Sequence, residues 1–313
     1  MFNTRLTQAL GIDIPVVQAP MGWIARSQLA SAVSNAGGLG VIETSSGELD
    51  IIKGEIARMR ELTDKPFAVN IAQAFVRDPD VVPFIIDQGV KFVTTSAGSP
   101  ERFTDQLKTA GLTVYHVVPS LSAALKAVEC GVDGLVVEGA EGGGFKNPKD
   151  VASLVLLPLI RAHLDVPIIA AGGFHDGATL AAAIALGADG IQLGTRMVTS
   201  KESPVHDNWK QAIVNAKETD TVFLSRFAPP ALRALRTERT TRLEKDPAQS
   251  GMADFGDPKA LYFGGDMEAA IPLTGQVCGR ITAVESVADI LASVKAEYEQ
   301  ALDRVSMASK AEW

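Results

Sequence analysis

The chain has 313 residues, of which 46% are hydrophobic and 21% charged, and its formal net charge is −8. That length suits a single α/β barrel carrying an insertion, and the composition is that of a globular protein rather than a disordered one. The acidic balance argues against nucleic acid or an anionic membrane surface as a partner, because each needs a basic face.

From Pro15 to Thr195 one unit recurs: an apolar strand, a loop of small or polar residues, an amphipathic helix, then a glycine and the next strand. The pattern predicts strands over 16–19, 39–43, 67–71, 92–96, 114–119, 135–138, 168–171 and 191–194. Helical periodicity falls between them at 28–36, 49–62, 81–88, 101–110, 122–129, 151–163 and 178–186. Several of these end on a glycine suited to a left-handed cap, as in Ala110-Gly111 and Leu186-Gly187. Eight such units with short connections predict a (β/α)8 TIM barrel, with a doubly wound open sheet as the alternative. After the eighth strand the alternation stops. Helical patterns at 203–216 and 230–244 precede a Gly/Pro/Asp-rich run through 251–265, and apolar periodicity returns over 284–302. The expected organisation is a barrel from residues 1–200 and 275–313, with 201–274 inserted as a cap over its mouth.

Cys130 and Cys278 lie far apart with no paired metal-ligand spacing, so a reducing compartment and no resident metal are expected. Residues 1–6 lack the basic-then-apolar order of a signal peptide, and no run approaches 18 uninterrupted apolar residues. A soluble, cytoplasmic protein is the resulting expectation.

A barrel gathers its chemistry on the loops that follow each strand. Here those loops carry Pro20-Met21-Gly22-Trp23, Asn70, the run Glu138 to Lys146, Gly172-Gly173-Phe174-His175 and Gly194-Thr195-Arg196. Glycines after the seventh and eighth strands suit a phosphate-bearing cofactor, because a β-carbon would block the backbone from the anion. Plain turns are the other reading of the same glycines.

Gln18-Ala-Pro-Met-Gly22, Ala36-Gly-Gly-Leu-Gly40, Asn70, Glu138-Gly-Ala-Glu-Gly-Gly-Gly144, Ala170-Ala-Gly-Gly173 and Gln192-Leu-Gly-Thr-Arg196 resemble the nitronate monooxygenase (2-nitropropane dioxygenase) family. Lys201-Glu-Ser-Pro-Val-His206 and Leu273-Thr-Gly-Gln276 look like segments of the flavin-dependent enoyl-acyl-carrier-protein reductases, which share the frame. The resemblance spans nearly the whole chain. It implies one noncovalent FMN, with Ala19, Pro20, Met21 and Gly22 along the isoalloxazine ring and Gly143 approaching it. It further implies that Asn70 and Glu138 contact the ring or ribityl chain, and that Ala171, Gly172, Gly173, Gly194 and Thr195 hold the phosphate.

The sequence departs from this pattern at one position. The resemblance implies a histidine after the glycine run of the sixth loop, as acid or base beside the flavin, and Phe145 stands there. No catalytic residue is therefore assigned. Lys146 reads as a solvated loop charge, His175 as a group near the phosphate, and His116 as a satisfied barrel histidine. Trp23 is open between pocket wall and core. Arg233, Arg236, Arg239 and Arg242, spaced by three, predict a basic helix stripe, either solvated or facing the phosphates of a coenzyme-A or nicotinamide ligand.

The function these features imply is an FMN-dependent oxidoreductase like nitronate monooxygenase, acting on nitronates or on oxygen through reduced flavin. One alternative is an NADH- or NADPH-dependent enoyl-thioester reductase, with a coenzyme-A or carrier-linked acyl substrate. Another is a flavin or acyl-ligand binding protein without turnover. Homo-oligomers are compatible with each.

Overall fold

The structure, a computed structural model, describes residues 2–309. Its strands in chain order are β1 (Val16–Gln18), β2 (Gly40–Ile42), β3 (Phe67–Ala72), β4 (Phe92–Ser96), β5 (Thr113–Val118), β6 (Gly134–Glu138), β7 (Gly144–Lys146), β8 (Ile168–Ala171), β9 (Gly190–Leu193), β10 (Thr221–Leu224) and β11 (Ala231–Leu235). Eight of them pair in parallel in the order β1-β9-β8-β6-β5-β4-β3-β2. The ring closes between β1 and β2, where Val17 bridges Leu39 and the Leu39 N–H donates to the Val16 carbonyl at 2.9 Å. The fold is a (β/α)8 TIM barrel, as the sequence pattern predicts.

Two apolar cores follow from the period-two alternation of its strands. One side of each strand packs outward against the helices. The other set, Val17, Val41, Ala68, Phe92, Tyr115, Val136 and Ile169, forms a separate cluster with Leu6 and Leu10 of the N-terminal helix Arg5–Leu10. That helix therefore plugs the lower end of the barrel. Gly190 makes room for the plug, since a β-carbon there would sit 2.5 Å from Leu6 Cδ2, and Gly134 makes room for Tyr115 of β5, whose ring a β-carbon would strike at 2.5 Å. Each buried leucine contributes about 1.5–3 kcal/mol. Two positions further along several strands the same inward column changes character, to Asn70, Thr94, Glu138 and Gln192. The barrel is thus filled and apolar below and polar above.

The segment after β9 differs from its predicted form. Residues 203–216 contribute the helix Asp207–Val214, and residues 230–244 are not one helix. They form β11 and the helix Glu238–Glu244, which starts on a Thr237 and Thr240 capping box. The run Ala-Leu-Arg-Ala-Leu fits a helix by local propensity, but β11 gains antiparallel partners on both edges, β10 and β7. Pairing with distant chain decides the state, and all five of its residues are buried. The basic helix stripe consequently does not exist: Arg233 lies on β11, and only Arg239 and Arg242 share the helix. Because β7 belongs to the sixth barrel loop, the three-stranded sheet joins that loop to the chain after β9. The outer helix predicted over 284–302 is present as Val287–Ser309. Among the described residues, no helix is long and apolar enough to cross a membrane.

Candidate active site

The upper end of the barrel opens into a cavity of about 560 Å³, within the range of cofactor and ligand sites. Ala19, Pro20, Met21, Gly22, Asn70, Glu138, Gly143, Ala171, Gly172, Gly173, Gly194 and Thr195 all line it, so the residues singled out along the sequence converge on one space. Gln192, Ser96, Phe145, Lys146, Leu273 and Gly275 complete much of the wall.

Each side of the cavity is held by its own hydrogen bonds. Asn70 Nδ2 donates to Thr94 Oγ1 at 2.9 Å and to the Thr94 carbonyl at 3.2 Å, which fixes the amide of β3 against β4. Beneath the first loop, the fully buried Glu43 carboxylate accepts from the Trp23 N–H at 3.2 Å, from Ser45 Oγ at 2.8 Å and from the Ser46 N–H at 2.9 Å. Arg26 completes that cluster at 2.9 Å. Glu43 thereby ties the first loop to the second and sets the path of Pro20-Met21-Gly22. Trp23 is held at a left-handed φ of 60° and packs its edge on Tyr262; it belongs to the support of this loop and does not line the main cavity. Glu43 was not singled out in the sequence, where it reads as the polar end of a strand.

The glycine loops take shapes that side chains oppose. Gly172 and Gly173 both have φ +82°, and a β-carbon on Gly172 would come within 2.8 Å of the Gly139 carbonyl oxygen. Gly143 packs against the 274–275 backbone, where a β-carbon would lie 2.8 Å from the Gly275 nitrogen. Thr195 Oγ1 accepts from the Gly275 N–H at 2.9 Å, leaving its own hydroxyl hydrogen to donate. Gly194, by contrast, has room: the nearest atom to an added β-carbon is Ala19 Cβ at 3.6 Å.

The sixth loop holds the cavity's charged groups. Glu141 accepts from the Ser153 N–H at 2.9 Å and Ser153 Oγ at 2.7 Å, so it caps the helix Ser153–His163. Asp150 is paired with Arg226 at 2.7 Å, which holds its carboxyl below the usual range. Tyr262 stacks on Trp209, and burial pushes its phenol well above its ordinary value. Lys146 differs from its predicted role as a solvated charge: its side chain is only 4% exposed and its ammonium bonds to Glu138 Oε1. Phe145, on the opposite face of β7, leans over the cavity with its ring centroid 5.6 Å from that of Phe75. Among the described residues no histidine lines this space. His116 is buried with Nδ1 2.7 Å from Thr95 Oγ1, and His175 is buried with Nε2 3.3 Å from Asp176 Oδ2. Burial holds both imidazoles down, to a pKa of about 4.

A family model described as nitronate monooxygenase matches residues 3–84 and 72–297. The chain belongs to the nitronate monooxygenase family. A Mycobacterium tuberculosis protein named (3aS,4S,5R,7aS)-5-hydroxy-7a-methyl-1-oxo-octahydro-1H-indene-4-carboxyl-CoA dehydrogenase is 38% identical, over 80% of this chain and 71% of its own length. A Staphylococcus aureus protein named probable nitronate monooxygenase is 31% identical, over 84% of this chain and 91% of its own. Among solved structures, FabK from Thermotoga maritima superposes with a TM-score of 0.93 at 34% identity, covering 98% of this chain and 99% of that one. Membership of the nitronate monooxygenase family makes this chain an oxidoreductase, and the barrel mouth described above is the end at which TIM-barrel enzymes carry their active-site loops.

Proposed function

We propose that this chain is an FMN-dependent oxidoreductase that passes a hydride to an enoyl thioester, with a nicotinamide as electron donor. The cavity fits FMN by its chemistry. Pro20 and Met21 with the glycine at 143 offer a flat, largely apolar wall, Asn70 and Gln192 offer polar groups for hydroxyls, and the Gly172-Gly173 and Gly194-Thr195 backbones offer N–H groups and a hydroxyl for phosphate. When bound, FMN supplies hydride transfer.

The observation that carries the choice of substrate is Phe145. Its ring lines the cavity against Phe75, in the loop position where the family resemblance implies a proton acceptor. A phenyl ring moves no proton, so a neutral nitroalkane finds no base there. It does provide apolar surface for the acyl chain of an enoyl thioester, whose reduction by hydride transfer takes up a proton and so needs no base at that position. The carboxyl-CoA dehydrogenase named above and the FabK likeness support a thioester-linked substrate.

A second reading is favoured by the family match: oxidation of an anionic nitronate, which arrives already deprotonated and makes no demand on residue 145. Anaerobic mixing of the FMN-loaded protein with NADH, NADPH or ethylnitronate, followed by crotonyl-CoA or oxygen, tests both. Bleaching by a nicotinamide and recolouring by crotonyl-CoA is expected. Bleaching by nitronate alone favours the second reading, and an inert flavin leaves a binding protein.

A further inference from the structure

The Glu138–Lys146 pair lies in the wall of the cavity, between β6 of the barrel and β7 of the outer sheet. Structural ion pairs elsewhere in the chain tie elements together, as Arg5 does between Asp165 and Asp189 at the base of the barrel. Glu138 ends β6 and Lys146 ends β7, eight residues later, so this pair also joins two strands, but unlike the Arg5 pairs both of its members line the cavity. An ammonium group has three N–H donors. One is used on Glu138 Oε1, and the side chain lines the cavity while only 4% exposed, so the remaining donors meet little bulk solvent. The surroundings keep that space open. A β-carbon on Gly142 would lie 2.9 Å from Lys146 Nζ and 2.8 Å from Glu138 Oε1, so a side chain at 142 would cover the pair. The backbone around Lys146 is fixed as well, because β7 is paired with β11 through Lys146 and Ala231.

We infer that Lys146 is the oxygen receptor of the site: its ammonium donates to the carbonyl oxygen of an acyl thioester, and Glu138 orients it. This rests on the thioester reading above. When a hydride adds to the β-carbon of an enoyl thioester, the electron pair of the C=C bond moves toward the carbonyl and places negative charge on its oxygen. FMN held by the loops after β8 and β9 would supply that hydride, with a nicotinamide as the reductant. A buried ammonium fixed beside that oxygen stabilises the enolate with little rearrangement. The proton that then forms the α C–H bond comes from water at the mouth, and the enolate pair collapses onto carbon. Phe145, next in the chain and on the other face of β7, would line the path of the acyl chain.

Cinnamoyl-CoA is a suitable probe, because polarising its carbonyl moves its absorption to longer wavelength without any turnover. With FMN-loaded protein, a red shift on binding is expected. It should be lost in Lys146→Met, which keeps the length of the side chain, and kcat/KM for crotonyl-CoA should fall by about 10²–10³, chiefly in kcat. Should Lys146→Met fold poorly with Glu138 left alone, the double variant Glu138→Gln/Lys146→Met removes both charges and should lose the same shift. A shift that survives in either folded variant overturns the inference, as does cinnamoyl-CoA failing to bind the wild-type protein. A change in FMN affinity or in the flavin spectrum with the shift intact would assign Lys146 to the flavin instead. Flavin bleaching by a nicotinamide is read separately, so loss of the thioester contact is distinguishable from loss of oxidoreductase activity.

Discussion

Arg233 on β11 donates from Nε to the main-chain carbonyl of Ala140 at 2.7 Å, which joins the sheet beyond the barrel to the glycine loop that lines the cavity. Its Nη1 reaches Thr221 Oγ1 at 3.2 Å on the neighbouring β10, and its guanidinium lies 5.2 Å from the Phe223 ring centroid. The side chain is buried, so these bonds form with little competition from water. Arg233→Met should lower unfolding stability by about 1.5–3 kcal/mol, the range for a hydrogen bond from a charged group. Urea denaturation checks this; an unchanged midpoint with an unchanged slope would mean that the contact holds nothing together.

Phe145→His restores an imidazole to the wall of the cavity. The ring at 145 is partly exposed and has Phe75 beside it, so the smaller histidine fits without displacing a packed neighbour. The variant is expected to gain oxidation of neutral nitroethane by about 10²–10⁴, the usual contribution of a positioned general base. Oxygen uptake measured with nitroethane and with pre-formed ethylnitronate separates the two demands: only the neutral substrate should improve. Equal rates on both substrates before and after the change would mean that residue 145 does not stand beside the reacting carbon.

The two predictions draw on parts of the chain that were unequally legible. The barrel strands could be read because each is a short apolar run fixed by its own composition and by the regular spacing of glycines around it. The cavity residues followed, since the barrel places every post-strand loop at one end. What could not be read locally was the pairing of β7 with β11. Gly144-Phe145-Lys146 is too short to carry an alternation, and Ala231 to Leu235 satisfies a helical pattern as well as an extended one. For the same reason Lys146 looked solvated and Arg233 looked like part of a helix stripe: each is buried only because a segment some 85 residues away pairs across it. Glu43 was missed differently, as its partners Trp23 and Arg26 come from the preceding loop.

His116 and His175 give the fold a pH dependence. Burial holds both near a pKa of about 4, below the ordinary value of 6.5, so the unfolded chain takes up protons between those limits and the folded chain does not. For His116 the Gly98 backbone contact opposes the shift, and for His175 Asp176 opposes it, but burial is the larger cause in each case. Their contribution is fully present above about pH 6.5 and is lost as pH falls toward 4, on the order of 2–3 kcal/mol for each. Urea midpoints measured from pH 7 to pH 4.5 should therefore fall steadily. His116→Gln, which keeps a polar partner for Thr95, should flatten the fall; an identical slope in that variant would assign the pH dependence elsewhere.

The central claim is that the barrel mouth holds FMN with its phosphate against the loops after β8 and β9. Gly194 allows a direct test, because the fold leaves room for a β-carbon there while a bound phosphate would not. Titration of the flavin-free protein with FMN, followed by flavin fluorescence, should give one FMN per chain. Gly194→Ala should weaken that binding by about tenfold or more, about 1.4 kcal/mol, while the ligand-free protein melts as the wild type does. A wild-type chain that binds no FMN, or a Gly194→Ala chain that binds it equally well, would contradict the account.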